Sequence, residues 1–100
     1  MDTFSIIILP SAQKDLLEVV EYVNTLSPQA ALRLYDEIVN GIGSLTKLPE
    51  RCGLLKTPEL RLKGYRALQV DKYTVFFVII DDVVQIRRIL FSKRQFESIL

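Results

Sequence analysis

The stretch Tyr73-Thr74-Val75-Phe76-Phe77-Val78-Ile79-Ile80 decides the fold class of this 100-residue chain. It consists mostly of β-branched and aromatic residues, which favour strands. Because polar and apolar residues do not alternate, we expect a central strand that is covered on both faces, with the side chains of residues 76–80 largely buried. The run is far shorter than the roughly 20 residues that span a bilayer, so no membrane partner is expected.

Short polar pairs on either side of this run predict an antiparallel meander. Asp71-Lys72 and Asp81-Asp82 are suited to two-residue turns, and they would connect the run to strands over residues 65–70 and 83–91. Ser92 follows the last strand. Because serine is a common helix N-cap, it predicts a short C-terminal helix whose apolar side consists of Phe96, Ile99 and Leu100.

The N-terminal half predicts a strand followed by two helices. Residues 4–9 are apolar and β-branched, and Pro10 ends this run. Apolar residues then recur at helical spacing after Ser11, which is a candidate N-cap. The second helix is expected to begin at Ser27-Pro28, because proline suits the first helical position, and to end near Pro49. The two helices would form a hairpin.

This order of elements predicts an α+β fold in a single domain, residues 1–100. We expect an N-terminal strand, a two-helix hairpin packed on one face of an antiparallel β-sheet, and a short C-terminal helix. Gly41 and Gly43 lie inside the second helical pattern, where each costs about 1 kcal/mol relative to alanine. We expect them to permit close approach to the first helix.

The composition excludes several classes of chemistry. The chain has no histidine and a single cysteine, Cys52, which rules out Ser-His-Asp and Cys-His catalysis and an intramolecular disulfide, and makes a zinc site very unfavourable. With only four glycines, the chain has no room for a Gly-rich loop that binds phosphate. We therefore expect no metal and no cofactor. The N-terminus lacks the features of a signal peptide, so we expect a cytoplasmic protein with a reduced Cys52.

The charges are unevenly distributed along the chain. Residues 1–50 carry three basic and seven acidic side chains, whereas residues 61–94 carry eight basic and three acidic ones. The basic segment suggests a face for anions or acidic partners. The alternative is that these charges are solvated on separate faces.

Three segments of the C-terminal half resemble the RelE/ParE superfamily of bacterial type II toxins. They are Lys63-Gly64-Tyr65-Arg66, Tyr73-Thr74-Val75-Phe76-Phe77, and residues 86–94 with the sequence IRRILFSKR. The opening Ile8-Leu9-Pro10-Ser11-Ala12 with Asp15-Leu16, and the Pro49 and Gly53 loop after the second helix, are also similar to family patterns. The resemblance covers nearly the whole chain.

This resemblance implies a growth-arresting, plasmid-stabilising type of toxin that a cognate antitoxin neutralises. RelE-like members cleave mRNA on the ribosome without a metal, whereas ParE-like members poison DNA gyrase. In RelE-like nucleases, basic residues and a C-terminal tyrosine do the chemistry. Arg66 matches one basic position, and Arg94 with Lys93 beside it matches another. Leu68, Thr74 and Leu100 stand where the family nuclease has a lysine, an arginine and the tyrosine.

Because this set of RelE-like catalytic residues is incomplete, the sequence favours a ParE-like toxin that is not a nuclease. A ribosome-dependent endoribonuclease is the alternative, with Arg66, Lys93 and Arg94 as catalytic candidates and with Arg88, Tyr65 and Tyr73 in secondary roles. Each arginine could instead pair with an acidic helix residue, and each tyrosine could pack in the core. A third interpretation is an inactive domain that only binds antitoxin.

Scattered apolar residues predict the surface that binds the antitoxin. They lie in the irregular segment 50–62 and at the C-terminus, where a lone domain has little left to bury. The predicted antitoxin-binding residues are Leu54, Leu55, Leu60, Leu62, Phe96, Ile99 and Leu100. The alternative is that the leucines fold under the loop and close the edge of the core.

Overall fold

The computed structural model describes residues 3–100, which form four strands and three helices. The chain order is β1 (Ser5–Ile8), α1 (Pro10–Leu26), α2 (Pro28–Gly43), α3 (Pro58–Leu62), β2 (Arg66–Val70), β3 (Tyr73–Ile80) and β4 (Val83–Phe91). Single 3-10 turns occupy Ser44–Thr46 and Pro49–Arg51. The predicted elements are therefore present, with three exceptions. The short C-terminal helix is absent, α3 falls in a segment expected to be irregular, and α2 ends at Gly43 rather than near Pro49.

The four strands form one sheet in the order β1-β4-β3-β2. Strands β2, β3 and β4 form the predicted antiparallel meander, and β1 adds in parallel to β4, so the sheet is mixed. Phe77 lies opposite Ile86 while Phe76 lies opposite Arg88, which leaves Arg87 as the extra residue of a β-bulge. Because of this bulge, the side chains of Arg87 and Arg88 need not alternate between the two faces of the sheet.

The two hairpin turns of the meander are as the sequence predicts. Asp71 and Asp81 adopt left-handed backbone conformations, with φ of 54° and 57°. Aspartate tolerates this region better than most residues because its short polar side chain can bond to the local backbone.

The helix starts are only partly as predicted. The Ser27 hydroxyl accepts a hydrogen bond from the Ala30 N–H at 3.2 Å and caps α2, as expected. The prediction that Ser11 caps α1 is wrong, because the helix begins at Pro10 with Leu9 in the cap position and without a side-chain cap. Proline suits this first helical position because it lacks the N–H that would need a partner.

The main core lies between the helical hairpin and one face of the sheet. Its fully buried side chains include Ile38 on α2, Phe77 on β3 and Ile86 on β4. Gly41 permits close packing here, since a Cβ on it would lie 2.9 Å from Val70 Cγ2. The expectation that Gly41 and Gly43 serve contact with the first helix is therefore wrong. Gly41 approaches β2, and a Cβ on Gly43 would meet no atom within 4 Å.

A second, smaller core covers the opposite face of the sheet. Its buried residues are Leu60, Tyr65, Phe76, Val78 and Leu90. The C-terminal residues pack against it, and the rings of Phe96 and Phe76 lie 4.8 Å apart. This second cover explains why β3 lacks polar alternation.

The predicted C-terminal helix is absent from residues 92–100, which form turns. The Ser92 hydroxyl does not cap a helix because it is hydrogen-bonded to Gln69 Nε2 at 2.5 Å and to Thr74 Oγ1 at 2.8 Å. The N–H groups of Ile99 and Leu100 both bond to the Phe96 carbonyl. The apolar residues of this segment are thus ordered by packing on the sheet rather than by a helix.

The burial predicted for β3 is correct for Phe76, Phe77 and Val78 but not for its last residue. Ile80 is 46% exposed and Ile79 is half-buried. Ile80 pairs with Val83 directly beside the β3–β4 turn, and it belongs to neither of the two cores. Among residues 3–100, no helix is both long and apolar enough to cross a bilayer.

Candidate functional site

Arg66, the first catalytic candidate, is hydrogen-bonded to the loop after α2. Its guanidinium donates to the Cys52 carbonyl at 2.6 Å and to the Glu50 carbonyl at 3.2 Å. Arg66 lies opposite Phe77, four residues along β3 from Tyr73, which corresponds to about 13 Å. The arginine therefore ties the edge strand to the loop, at a distance from the end of the sheet where Tyr73 lies.

Arg88 is paired with an acidic helix residue, which is one of the two roles the sequence left open. Its Nε and Nη2 donate to the two carboxylate oxygens of Asp15, at 2.7 and 2.9 Å. The hydrogen bond to Asp15 raises the pKa of Arg88, against the opposing effect of burial. The Ile89 N–H donates to the same carboxylate at 2.9 Å. Asp15 is itself buried on α1.

Tyr65 is buried on the opposite face of the sheet, in the second core. Its hydroxyl lies 3.5 Å from Arg87 Nη1, and the Arg87 guanidinium lies 5.8 Å from the centre of its ring. Arg87 also donates from Nε and Nη2 to Gln85 Oε1. Tyr65 therefore packs in the core and holds an arginine that the sequence did not single out.

Tyr73 and Arg94 are brought together in one recess of about 420 Å³. Helix α1 contributes Glu18 and Tyr22 to its walls, and β4 contributes Phe91. Burial raises the pKa of the Tyr73 hydroxyl, and the nearby Asp71 carboxylate and Tyr22 add to this rise. A tyrosine hydroxyl is already protonated at neutral pH and the raised pKa extends this to higher pH, so Tyr73 can donate a hydrogen bond but cannot act as a base there.

Lys93 lies in a neighbouring recess of about 320 Å³, which also has Phe91 in its wall. This recess also contains Gln69, Lys72 and Ser92. Thr74, which stands where the family nuclease has an arginine, is buried and bonded to Gln69 and Ser92. Its hydroxyl therefore stabilises the end of the sheet.

The structure thus separates Arg66 from the other two predicted catalytic residues. Arg66 is bonded to the loop at residues 50–52, whereas Arg94 and Lys93 line two recesses that share Phe91 at the other end of the sheet. Cleavage of RNA needs several cations around one phosphate and a group that accepts the 2′-hydroxyl proton. Neither of these two recesses brings the three predicted cations together, and among residues 3–100 no group of His, Cys, Asp and Glu is placed to hold a metal.

The predicted antitoxin-binding residues are divided between core and surface. Leu60 is buried in the second core and Leu55 packs against it, which agrees with the alternative that the leucines close the edge of the core. Phe96, Ile99 and Leu100 also pack against this core. Leu54 is half-buried beside Arg66, with which it forms an isolated β-bridge. Leu62 is 89% exposed.

A larger apolar surface, not anticipated from the sequence, follows the outside of the helical hairpin. It is a groove of about 480 Å³ between α1 and α2. Leu17 and Leu32 in its walls are 62% and 69% exposed, and Tyr35 is partly exposed beside them. The signal for this groove was present as apolar residues outside the strict core stripe of each helix. We refer to this surface, lined by Leu17, Val20, Leu32 and Tyr35, as the hairpin groove.

Comparison with known proteins identifies the family. The family model described as the ParE toxin of the type II toxin-antitoxin system, parDE, matches residues 6–96. This chain belongs to the ParE toxin family. The resemblance to the RelE/ParE superfamily inferred from the sequence is therefore confirmed. No curated protein matches the chain.

Two solved structures have the same fold as this ParE-family chain. One is the chromosomal ParDE toxin-antitoxin system from P. aeruginosa, with a TM-score of 0.76 and 21% identity over 93% of this chain and all of that chain (100%). The other is the toxin-antitoxin complex RelBE2 from Mycobacterium tuberculosis, with a TM-score of 0.62 and 22% identity over 89% of this chain and 98% of that chain. At sequence identities of 21% and 22%, the similarity shows that the α+β fold is shared.

Proposed function

We propose that this chain arrests growth by acting on DNA gyrase, without cleaving RNA. The observation that carries the proposal is the separation of Arg66, which is bonded to the loop at residues 50–52, from Lys93 and Arg94 at the other end of the sheet. Arg66 is engaged by two backbone carbonyls and Arg88 by Asp15, so neither is free to neutralise a scissile phosphate. ParE-family membership supports the same branch of the superfamily.

The two mechanisms give different results in an induction experiment. The chain is expressed in a bacterial host while mRNA 5′ ends, plasmid supercoiling and the DNA-damage response are followed together. We expect DNA damage with intact messages, and inhibition of purified gyrase by the purified protein. In-frame cuts in translated messages that Arg94→Ala abolishes would establish the ribosome-dependent endoribonuclease instead. The matched control is Lys56→Ala, which removes an exposed cation in the loop after Cys52.

A chain that does neither would be the inactive domain of the third interpretation. Growth after induction separates this case, because an inactive domain leaves growth unchanged while still binding its antitoxin. The uninduced host and a strain that co-expresses the antitoxin provide the two reference growth rates.

We propose that a cognate antitoxin neutralises this toxin and that an apolar face of an antitoxin helix lies in the hairpin groove. Both structures of similar fold are of toxin-antitoxin systems, and the groove is where this chain exposes several large apolar side chains together. Helix-in-groove contacts of this kind depend on apolar residues at helical spacing. The surface predicted from the sequence, at Leu54, Leu62 and the C-terminal residues, is proposed as a second contact.

Paired substitutions separate the two surfaces. Leu32→Glu places a charge in the hairpin groove, and Leu62→Glu does so in the second surface. Both residues are exposed, so both variants are expected to fold. If the groove is the main site, Leu32→Glu prevents co-purification with the antitoxin and Leu62→Glu reduces it little. If Leu62→Glu instead reduces co-purification more than Leu32→Glu does, the main contact is the surface predicted from the sequence.

A further inference from the structure

Three recesses meet around Phe91 at one end of the sheet. The first contains Tyr73 and Arg94, the second lies between α1, α2 and the β2–β3 turn, and the third contains Lys93. Their volumes are about 420, 530 and 320 Å³, and Phe91 is in the wall of all three. The recesses therefore adjoin one another at this corner of the molecule.

Aromatic rings are exposed around these recesses. Phe91 is 43% exposed and Tyr22 is 63% exposed. Tyr73 is packed edge-on against Phe91, with ring centres 5.8 Å apart and planes at 67°, which holds the Phe91 ring in place. Tyr22 and Tyr73 line both the first and the second recess. Exposed rings held in this way provide flat surfaces on which unpaired bases stack.

Each recess also contains at least one cation. Arg94 lies in the first, Arg33 and Lys72 in the second, and Lys72 and Lys93 in the third. All four side chains are exposed, and none forms an ion pair with another residue in the part of the chain that the structure describes. Long, free cations beside aromatic rings suit a phosphate backbone whose bases lie on the rings.

The recesses also contain carboxylates, which limit the affinity for a phosphate backbone. Glu18 lies in the first recess, Glu37 in the second, and Asp71 in the second and third. Asp15, in the first recess, is neutralised by Arg88. The cations thus outnumber the unpaired carboxylates by one, so the rings must supply much of any binding free energy.

We propose that this corner, consisting of Tyr22, Tyr73 and Phe91 with Arg33, Lys72, Lys93 and Arg94, binds single-stranded nucleic acid. The bases stack on Phe91 and Tyr22, and the phosphates contact the four cations. Unpaired bases are required because the rings are reached from the surface and duplex bases are not free to stack on them. The proposal is independent of the gyrase-directed function, since it concerns binding alone and requires no cleavage.

The test is fluorescence anisotropy with labelled oligonucleotides of about 12 nucleotides, a length within the range of known single-strand sites. Oligothymidylate and oligouridylate are compared with a duplex of the same length at about 50 mM salt. We expect either single strand to bind more tightly than the duplex, and the difference between the two shows whether DNA or RNA is preferred. Absence of binding to both up to about 100 μM protein would overturn the proposal.

Three variants distinguish the corner from non-specific attraction. Phe91→Leu keeps an apolar side chain but removes the ring, and should weaken binding at least about fivefold with the salt dependence unchanged. Lys93→Ala should reduce the slope of log K against log salt by about 0.7, as for one lost phosphate contact to a single strand. Lys63→Ala removes an exposed cation near α3 and should have little effect. Equal loss with Lys63→Ala and Lys93→Ala would contradict the proposal.

Discussion

Asp15 on α1 accepts hydrogen bonds from both Arg88 and the backbone N–H of Ile89 on β4. The distances are 2.7 Å to Arg88 Nε and 2.9 Å to the Ile89 nitrogen, both from Oδ2. Strand β1 pairs with β4 only as far as Ile86, so the edge of β4 beyond this residue has no strand beside it. The carboxylate supplies the acceptor that a longer β1 would have provided, and it does so next to the bulge at Arg87.

We expect Asp15→Ala to lower the free energy of unfolding by about 2–4 kcal/mol, because it leaves both the Ile89 N–H and the Arg88 guanidinium without an acceptor. Asp15→Asn keeps an oxygen for Ile89 and should cost less. Urea denaturation provides the measurement. Glu18→Ala, which removes an exposed carboxylate from the same helix, is the control and should change stability by less than about 0.5 kcal/mol. Equal effects of Asp15→Ala and Glu18→Ala would contradict this role.

Arg66→Ala should destabilise the protein more than Arg94→Ala. Arg66 donates charged hydrogen bonds to two carbonyls, and its loss is expected to cost about 1–3 kcal/mol. Arg94 is exposed and should contribute less than about 0.5 kcal/mol. Denaturation midpoints measure the difference, and faster amide exchange over residues 50–54 in Arg66→Ala would locate it. If the two variants are equally stable, Arg66 does not hold the loop.

Stability should fall at alkaline pH through Tyr73. Its pKa in the folded state is raised above the usual 10.0, mainly by burial, so the unfolded chain loses this proton first. The stabilising contribution is therefore complete below pH 10.0 and decreases as the pH rises above it. Tyr73→Phe should therefore reduce this decrease. Thermal unfolding between pH 8 and 11, roughly the range that spans tyrosine ionisation, provides the comparison.

Gly43→Ala should stabilise the protein, and Gly41→Ala should not. Both glycines lie in α2, where alanine is favoured by about 1 kcal/mol in a helix interior and less at its end. A Cβ on Gly43 meets no atom within 4 Å, but a Cβ on Gly41 lies 2.9 Å from Val70 Cγ2. Melting temperatures of the two variants test the contrast. A gain for Gly41→Ala equal to that for Gly43→Ala would show that β2 moves away without cost.

Side-chain truncation along β3 should follow the observed burial. Phe77→Ala removes a fully buried ring and is expected to cost about 3–5 kcal/mol, which a protein of this size barely tolerates. Ile80→Ala, at a position that is 46% exposed, should cost less than about 1.5 kcal/mol. Denaturant unfolding measures both. A large loss for Ile80→Ala would indicate that a partner or a second copy covers this end of the strand.

The sequence by itself determined the elements that depend on local patterns. The unbroken apolar run of β3 predicts a strand covered on both faces, and Ser27-Pro28 predicts the break between the helices, because capping and periodicity act over a few residues. Family motifs, read in order along the chain, predicted the superfamily. The Ser92 cap and the terminal helix failed because Gln69 and Thr74, distant in sequence, bond to the Ser92 hydroxyl.

Only the tertiary structure decided what the arginines and tyrosines do. Arg66, Arg88 and Arg94 are equivalent cations in the sequence, but their roles depend on the Cys52 carbonyl, on Asp15 and on an open recess. These partners are brought close by the sheet register and by the bulge at Arg87, and no local pattern encodes either one. Interactions between residues as far apart in the chain as Asp15 and Arg88 arise only when packing places their backbones within reach of one another.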